Sequence, residues 1–534
     1  MAFGQVAPDI GSLDRGVAVD HDGLRRNAMS PGTQVARALA ALIASRVMAM
    51  ALNLGLVALL FRHLPQSELG VWLLMGQAAS LVALMDFGVT SVLTRRLAMS
   101  AGQPDGVARQ AADLVASARV LYHVMAVLVG VALIIASWRL LEGASTAALI
   151  AWALLSLGNI YGLYRGLTTA MVTGFGHVAE MSVRNTCIGV VVTAGQAVAV
   201  LWGGGLVALA ALSLAGSLGL GLALQSLLRR REAGLLAEAG RRDWSALRGL
   251  LASSGRYWLT ELGAIALLRT DQLFIAGFQG AADIPAYYAA YSIVFTMATL
   301  SMAISEAACV FVSRMWQQQA PEAVHALVLR STRLGLSMML AGAGLMAVIG
   351  DSIIAVWIGP GHFVGRPVML VFCAMLVLFV QQSLLLGFSR ATENERYAPC
   401  FLLAGGLNLL ITWWLAAPLG LLGIAAGTLI AQALTVSWYV PLSALHRLQI
   451  PLRTYAGAVL WPAVLTGVAT SAAAFLATYD IALSLPAYRM AAGCGGGFLA
   501  ALLCAWFLVI DADMRGVALR AVRQVLRPVA IKAG

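Results

Sequence analysis

The sequence predicts an all-α, polytopic membrane protein of about fourteen transmembrane helices. They are expected to form two six-helix lobes around a central cavity, with a further C-terminal helix pair. Three observations carry this reading. First, 60% of the 534 residues are hydrophobic and 11% charged, and the mean hydropathy is +0.85, a balance foreign to soluble folds of this length. Second, the apolar stretches each approach the roughly 20 residues that a helix needs to cross a bilayer. Third, positive charge sorts with alternate loops, and helix-entry segments echo one another six spans apart.

Residues 1–36 are polar, carry Gly, Pro and Asp, and hold no apolar run; they read as a cytoplasmic tail and not as a cleaved leader. The spans then run at roughly 37–61, 69–94, 115–137, 146–166, 186–203, 205–228, 255–279, 284–312, 332–357, 365–389, 400–418, 421–445, 456–477 and 490–510. The first six, within 37–228, make an N-lobe. Residues 229–254, with Arg229–Arg230–Arg231, Arg241, Arg242 and Arg248, form the longest and most polar loop, a basic cytoplasmic linker. Residues 255–450 make a C-lobe, 451–512 hold the last two spans, and 513–534 form a basic cytoplasmic tail.

One set of alternate loops and tails holds Arg15, Arg25, Arg26, Arg37, Arg95, Arg96, Arg109, Arg184 and the linker arginines. It continues with Arg314, Arg330, Arg333, Arg390, Arg396, Arg447, Arg453, Arg515, Arg520, Arg523, Arg527 and Lys532. The other set holds Arg62, Arg139, Arg366 and Arg489. Positive loops stay cytoplasmic, so both termini are expected inside, at a bacterial inner membrane. The net charge of +11 follows from that topology, with membrane lipid headgroups as partners and no nucleic acid.

The seven histidines show no HExxH spacing, the six cysteines no CxxC, and neither GxSxG nor a Walker motif occurs. Gly203–Gly204–Gly205 is an outer turn with no strand-helix unit behind it. No enzyme, cofactor or metal site is expected. The outer loops are too short to carry a catalytic domain, which counts against a polysaccharide polymerase or ligase. Trp72, Trp138, Trp202, Trp357 and Trp461 fall near predicted interfaces, where an aromatic belt belongs.

Glu68-Leu69-Gly70-Val71-Trp72 at the second span echoes Asp283-Ile284-Pro285-Ala286-Tyr287 at the eighth. An even number of helices separates them, so the halves relate by an axis along the membrane normal. Arg46 precedes Glu68 by the same interval as Glu261 precedes Asp283, which would set Arg46 and Glu261 at equivalent positions on one cleft. Ionisable side chains inside spans are costly and mark cavities or partners. Arg46, Arg269 and Glu261 are therefore the expected cavity residues, Glu261 and Arg269 lying eight apart on one helical face. Asp86, Asp271 and Glu306 are the expected coupling or structural acids. Arg119, Arg165 and Arg256 lie near span ends, where snorkelling accounts for them. Arginine in a cleft suits an anionic substrate, because its planar fork grips phosphate.

Pro65-Gln66-Ser67-Glu68-Leu69-Gly70-Val71-Trp72, then Leu84-Met85-Asp86-Phe87-Gly88-Val89 and Thr94-Arg95-Arg96, resemble the oligosaccharide flippases of bacterial surface-polysaccharide synthesis. These belong to the multidrug/oligosaccharidyl-lipid/polysaccharide exporter superfamily. Further similar segments are Gly255-Arg256-Tyr257-Trp258, Arg269-Thr270-Asp271-Gln272, Pro285-Ala286-Tyr287-Tyr288, Val356-Trp357-Ile358-Gly359, Leu386-Gly387 through Asn394, and Asn408 through Gly420-Leu421-Leu422-Gly423-Ile424-Ala425. The resemblance covers about 37–450. It implies alternating access and movement of an undecaprenyl-pyrophosphate-linked oligosaccharide to the outer leaflet for O-antigen, capsule or exopolysaccharide. It also implies cationic cavity residues, for which Arg46 and Arg269 fit, and polysaccharide polymerase and export machinery as partners. The two added C-terminal spans are similar in number to those of lipid II flippases, one alternative; a drug/cation antiporter of the same superfamily is the other.

Overall fold

The computed structural model describes residues 48–100, 107–140, 143–232, 240, 244–392, 396–479, 485–509 and 515. Arg46, the 1–36 tail, residues 233–239 and 241–243 of the linker and nearly all of the C-terminal tail lie outside these. The described residues form an all-helical chain whose segments follow the expected spans in order. A bilayer interior offers no water to backbone groups, so each crossing must satisfy its own N–H and C=O groups.

The first span is α1, Met48–His63. The second is broken into α2, Gln66–Leu81, a 3₁₀ turn at Val82–Asp86, and α3, Val89–Ser100. Four unbroken helices follow: α4 (Val107–Leu140), α5 (Thr146–Gly174), α6 (Val178–Leu201) and α7 (Gly205–Arg231). The seventh span is broken as well, into α8, Trp244–Leu268, and α9, Asp271–Phe278. Next come α10 (Ile284–Gln317), α11 (Pro321–Trp357) and α12 (Arg366–Ala391). The eleventh and twelfth spans share α13, Ala398–Leu434, which reverses at Pro418 and Gly420 (φ +58°), and α14, Val436–Arg447, completes the twelfth. The last two spans are α15, Leu452–Tyr479, and α16, Pro486–Val509.

Buried apolar side chains gather in two large clusters. One joins α2 through α5 and α7, with Tyr122, Trp152 and Leu224 inside it. The other joins α10, α11 and α12 and also takes Val57, Leu60 and Phe61 from α1 and Leu69 from α2. Helix α1 thus packs its apolar face on the second half of the chain.

The C-terminal pair is fastened to α11. Hydrophobic association is weak between helices in lipid, so close approach of small residues supplies the packing. A Cβ at Gly467 would stand 3.1 Å from Leu340, one at Gly497 2.4 Å from Leu345, and one at Gly493 2.8 Å from Ile349, where α11 kinks. The Arg489 guanidinium adds a bond to the Asp351 carboxylate at 3.4 Å, with Arg366 at 4.0 Å. Beside this contact, α11, α12 and α15 line an open, almost wholly apolar groove of about 660 Å³.

The two halves touch at both ends of the bundle. At the arginine-poor end, the Arg62 guanidinium donates to the Val356 and Trp357 carbonyls, and the Trp357 indole donates to the Leu54 carbonyl at 2.9 Å. There the entry segment at Gly70 meets the Ala281 carbonyl so closely that a Cβ would lie 1.9 Å from its oxygen. The entry to the second span therefore lies against the turn that leads into the eighth. At the arginine-rich end, Arg96 donates to the Gly249 carbonyl at 2.9 Å and Phe87 packs on Trp258 at 5.0 Å.

Candidate functional site

The break between α8 and α9 organises the site. Helix α8 stops at Leu268, and Arg269 and Thr270 interrupt the ladder before Asp271 opens α9. In a membrane the freed carbonyls need donors, and the fold provides them from α13. The Asn408 amide donates to the Ala266 carbonyl at 2.9 Å and the Leu267 carbonyl at 3.1 Å. Thr412 donates to the Asn408 side-chain oxygen at 3.0 Å, which orients the amide, while Thr270 bonds the Ala266 carbonyl from its own helix at 3.0 Å. Glycines let α13 come that close: a Cβ at Gly263 would sit 2.3 Å from the Phe401 backbone.

Asn408→Leu removes both N–H donors and keeps the γ-branched outline. The Ala266 carbonyl keeps Thr270, while loss of the donor to the buried Leu267 carbonyl costs about 1–3 kcal/mol, so the detergent-solubilised variant is expected to melt measurably below wild type. An unchanged melting temperature would mean that the break does not depend on this amide.

Asp271 starts α9, where the helix dipole favours a negative charge. Its buried carboxylate accepts from the Tyr287 hydroxyl at 2.5 Å and the Thr428 hydroxyl at 3.1 Å. On the other side of the break, Gln77 of α2 donates to the Arg269 carbonyl at 2.5 Å. The main chain at residue 269 is thereby tied to the first half of the protein. The Arg269 side chain is exposed, within a predicted span. With Gln77, Asp271, Gln272, Tyr287, Tyr288 and Tyr291 it lines a hollow of about 20 Å³, room for roughly one water.

The remaining expected residues fall as follows. Glu261 lies two turns before Arg269, whose N–H still bonds the Ile265 carbonyl at 2.9 Å at the end of α8. Its ion partner is Arg390 in the last turn of α12, at 3.9 Å, with 38% of the Glu261 side chain and 29% of the Arg390 side chain exposed. Glu306 is exposed on α10. Asp86 is bound up in a helix start: it accepts from the Thr90 N–H at 3.2 Å, the Thr90 hydroxyl at 2.7 Å and the Tyr122 hydroxyl at 3.2 Å. The chain turns there through Phe87 (φ +48°) and Gly88 (φ +71°); positive φ is uncommon for a residue as bulky as Phe, and the Asp86 contacts hold it. Arg46 lies outside the described residues. The sequence reading missed Asn408, Tyr287 and Thr428, neutral side chains in apolar runs, and counted Arg390 as a loop charge. Among the described residues no group of three His, Cys, Asp or Glu could hold a metal ion.

No family model matches the sequence, and no curated protein matches it. Solved structures do. The lipid II flippase MurJ in its inward closed conformation is 10% identical, the match covering 88% of this chain and 99% of that one at a TM-score of 0.64. An inward-facing multidrug resistance MATE family transporter of the MOP superfamily is 14% identical, covering 77% of this chain and 98% of that one, TM-score 0.60. An outward-facing one is 16% identical over 79% and 99%, TM-score 0.54. At these identities the likeness is one of fold, and this chain shares the polytopic helical fold of MurJ and the MATE transporters.

Proposed function

We propose that the protein is a flippase that carries a polyprenyl-pyrophosphate-linked oligosaccharide across the inner membrane by alternating access, for O-antigen, capsule or exopolysaccharide synthesis. The observation that carries this is the exposed Arg269 guanidinium at a break inside a predicted span. A charge there is costly unless it meets water or an anionic ligand, and a guanidinium stays protonated and binds phosphate as a fork. The fold likeness to a lipid flippase supports the reading, as do contacts between the halves at both ends, which alternating access would open in turn. The arginine-rich end is cytoplasmic in this account.

Asp86 acts as a structural acid. Asp271 lines the same small hollow as Arg269 and is the acid we assign to coupling. Asp271→Asn keeps the shape and removes the charge; it is expected to slow transport while leaving headgroup binding intact, measured side by side on one preparation.

A lipid II-type substrate is the second reading. It is favoured by the match over nearly the whole of MurJ, which takes in most of this chain. Deleting the gene separates the two readings: a lipid-linked surface-polysaccharide unit is expected to accumulate on the cytoplasmic leaflet. Accumulation of a lipid-linked peptidoglycan precursor would select the second reading, and accumulation of neither would overturn both.

A further inference from the structure

We propose that the apolar groove between α11, α12 and α15, with Arg366 and Arg489 at one end of it, binds an anionic phospholipid. The lipid comes from the leaflet at the arginine-poor end, the outer one in the account above. The site is separate from Arg269 and does not depend on what the protein carries.

The groove is about 660 Å³ in volume and lined by small or apolar side chains, among them Ala347, Ala374 and Val377. Its floor is fixed where α11 meets α15: a Cβ at Gly344 would stand 2.9 Å from the Gly467 carbonyl oxygen. Val464, Val468 and Phe475 of α15 are exposed along its wall. From residue 464 to residue 475 the wall runs roughly 16 Å at 1.5 Å per residue. That is about half of a hydrocarbon core roughly 30 Å thick, the depth of one leaflet. An acyl chain of that leaflet fits the length.

Charge at the end of the groove selects the headgroup. Asp351 follows the groove residue Val348 by less than one turn of α11, and Arg366 opens α12 two turns before the groove residue Cys373. Four arginines belong to the arginine-poor end, and two of them converge on Asp351: Arg489 at 3.4 Å and Arg366 at 4.0 Å. The Ser352 hydroxyl donates to the other Asp351 oxygen at 3.4 Å. These contacts are long, and 64% of the Arg366 side chain is exposed. Two guanidiniums against one carboxylate leave a positive charge over. Helix stability does not account for it, because Arg366 and Arg489 stand in the first turns of α12 and α16, where the macrodipole disfavours a cation. Arg489 fastens α16 to α11, so Arg366 is the surplus group. Both arginines lie at the ends of predicted spans, at headgroup depth. A phosphodiester there meets guanidinium donors while its acyl chain follows the groove. A zwitterionic lipid brings its own cation, which the site repels.

The test titrates the full-length protein in detergent with dioleoyl phosphatidylglycerol and, separately, with dioleoyl phosphatidylcholine, and counts bound lipid by native mass spectrometry. Wild type is expected to hold phosphatidylglycerol about tenfold more tightly, the scale of one charged hydrogen bond. Arg366→Gln is expected to erase that preference. Ala374→Trp, which fills the groove from an exposed position, is expected to weaken binding of both lipids. Thermal melts confirm that each variant is folded, and the exposed Arg366 keeps the test decisive should Ala374→Trp fold poorly. Equal affinity of wild type for the two lipids, or a preference untouched by Arg366→Gln, overturns the proposal. Undecaprenyl phosphate is the third probe. If it binds more tightly than phosphatidylglycerol and Ala374→Trp weakens it, the groove holds a polyprenyl chain and the proposal is overturned as well.

Discussion

Replacing Arg269 with glutamine is expected to lower transport of the lipid-linked substrate by about 10- to 100-fold, since hydrogen bonds to a charged group contribute about 1.5–3 kcal/mol. The effect should come from the side chain alone. The backbone at residue 269 is held by Gln77, and the neighbouring carbonyls by Asn408, so the break survives the substitution. Arg269→Lys keeps the charge but not the planar fork and is expected to fall between wild type and Arg269→Gln. Restoration of surface polysaccharide in a deletion strain, with membrane levels of each variant matched, measures this. Full activity of Arg269→Gln would mean that the exposed guanidinium does not meet the substrate.

Gly70→Leu is expected to prevent the arginine-poor ends from meeting. Any Cβ at residue 70 would lie 1.9 Å from the Ala281 carbonyl oxygen and 2.7 Å from its carbon, and a backbone carbonyl cannot swing aside as a side chain can. Overpacking of this kind costs about 1–3 kcal/mol, enough to shift the ratio of closed to open molecules at that end by about 5- to 100-fold. The contacts of Arg62 and Trp357 with the facing carbonyls should loosen with it. Cysteines introduced at the exposed positions 68 and 282 would report the change. Cross-linking yield is expected to drop sharply in Gly70→Leu, and transport with it. An undiminished yield would show that the ends accommodate the side chain without opening.

The spans were legible in the sequence because hydropathy and loop charge are local quantities that each segment carries by itself. The turns at Gly280 and Gly420 were legible too, as the short gaps between the spans 255–279 and 284–312 and between 400–418 and 421–445. The break at Arg269–Thr270 was not. Helical periodicity presumes an uninterrupted helix, and the amide that satisfies the interruption in lipid belongs to Asn408, held in place by Thr412, more than a hundred residues away. The same limit hid the pairing of Glu261 with Arg390: charge counting assigns Arg390 to a loop, and only the packing of α8 against α12 through α13 brings the two together. Asp86 shows what depth alone leaves open. Its place in the second span marked it as a coupling or structural acid, and Thr90, one turn on, and Tyr122 bind it into a helix start. Position alone does not separate an acid that supports a bend from one that serves a cleft; its partners do.

The most direct measurement is movement of a fluorescent polyprenyl-diphosphate oligosaccharide between leaflets of proteoliposomes, read by its exposure to a membrane-impermeant quencher. Wild-type protein is expected to equilibrate the label across the bilayer, and Arg269→Gln protein to leave most of it on the side where it was placed. Wild-type vesicles that move the label no faster than protein-free vesicles, or Arg269→Gln vesicles that match wild type, would contradict the account.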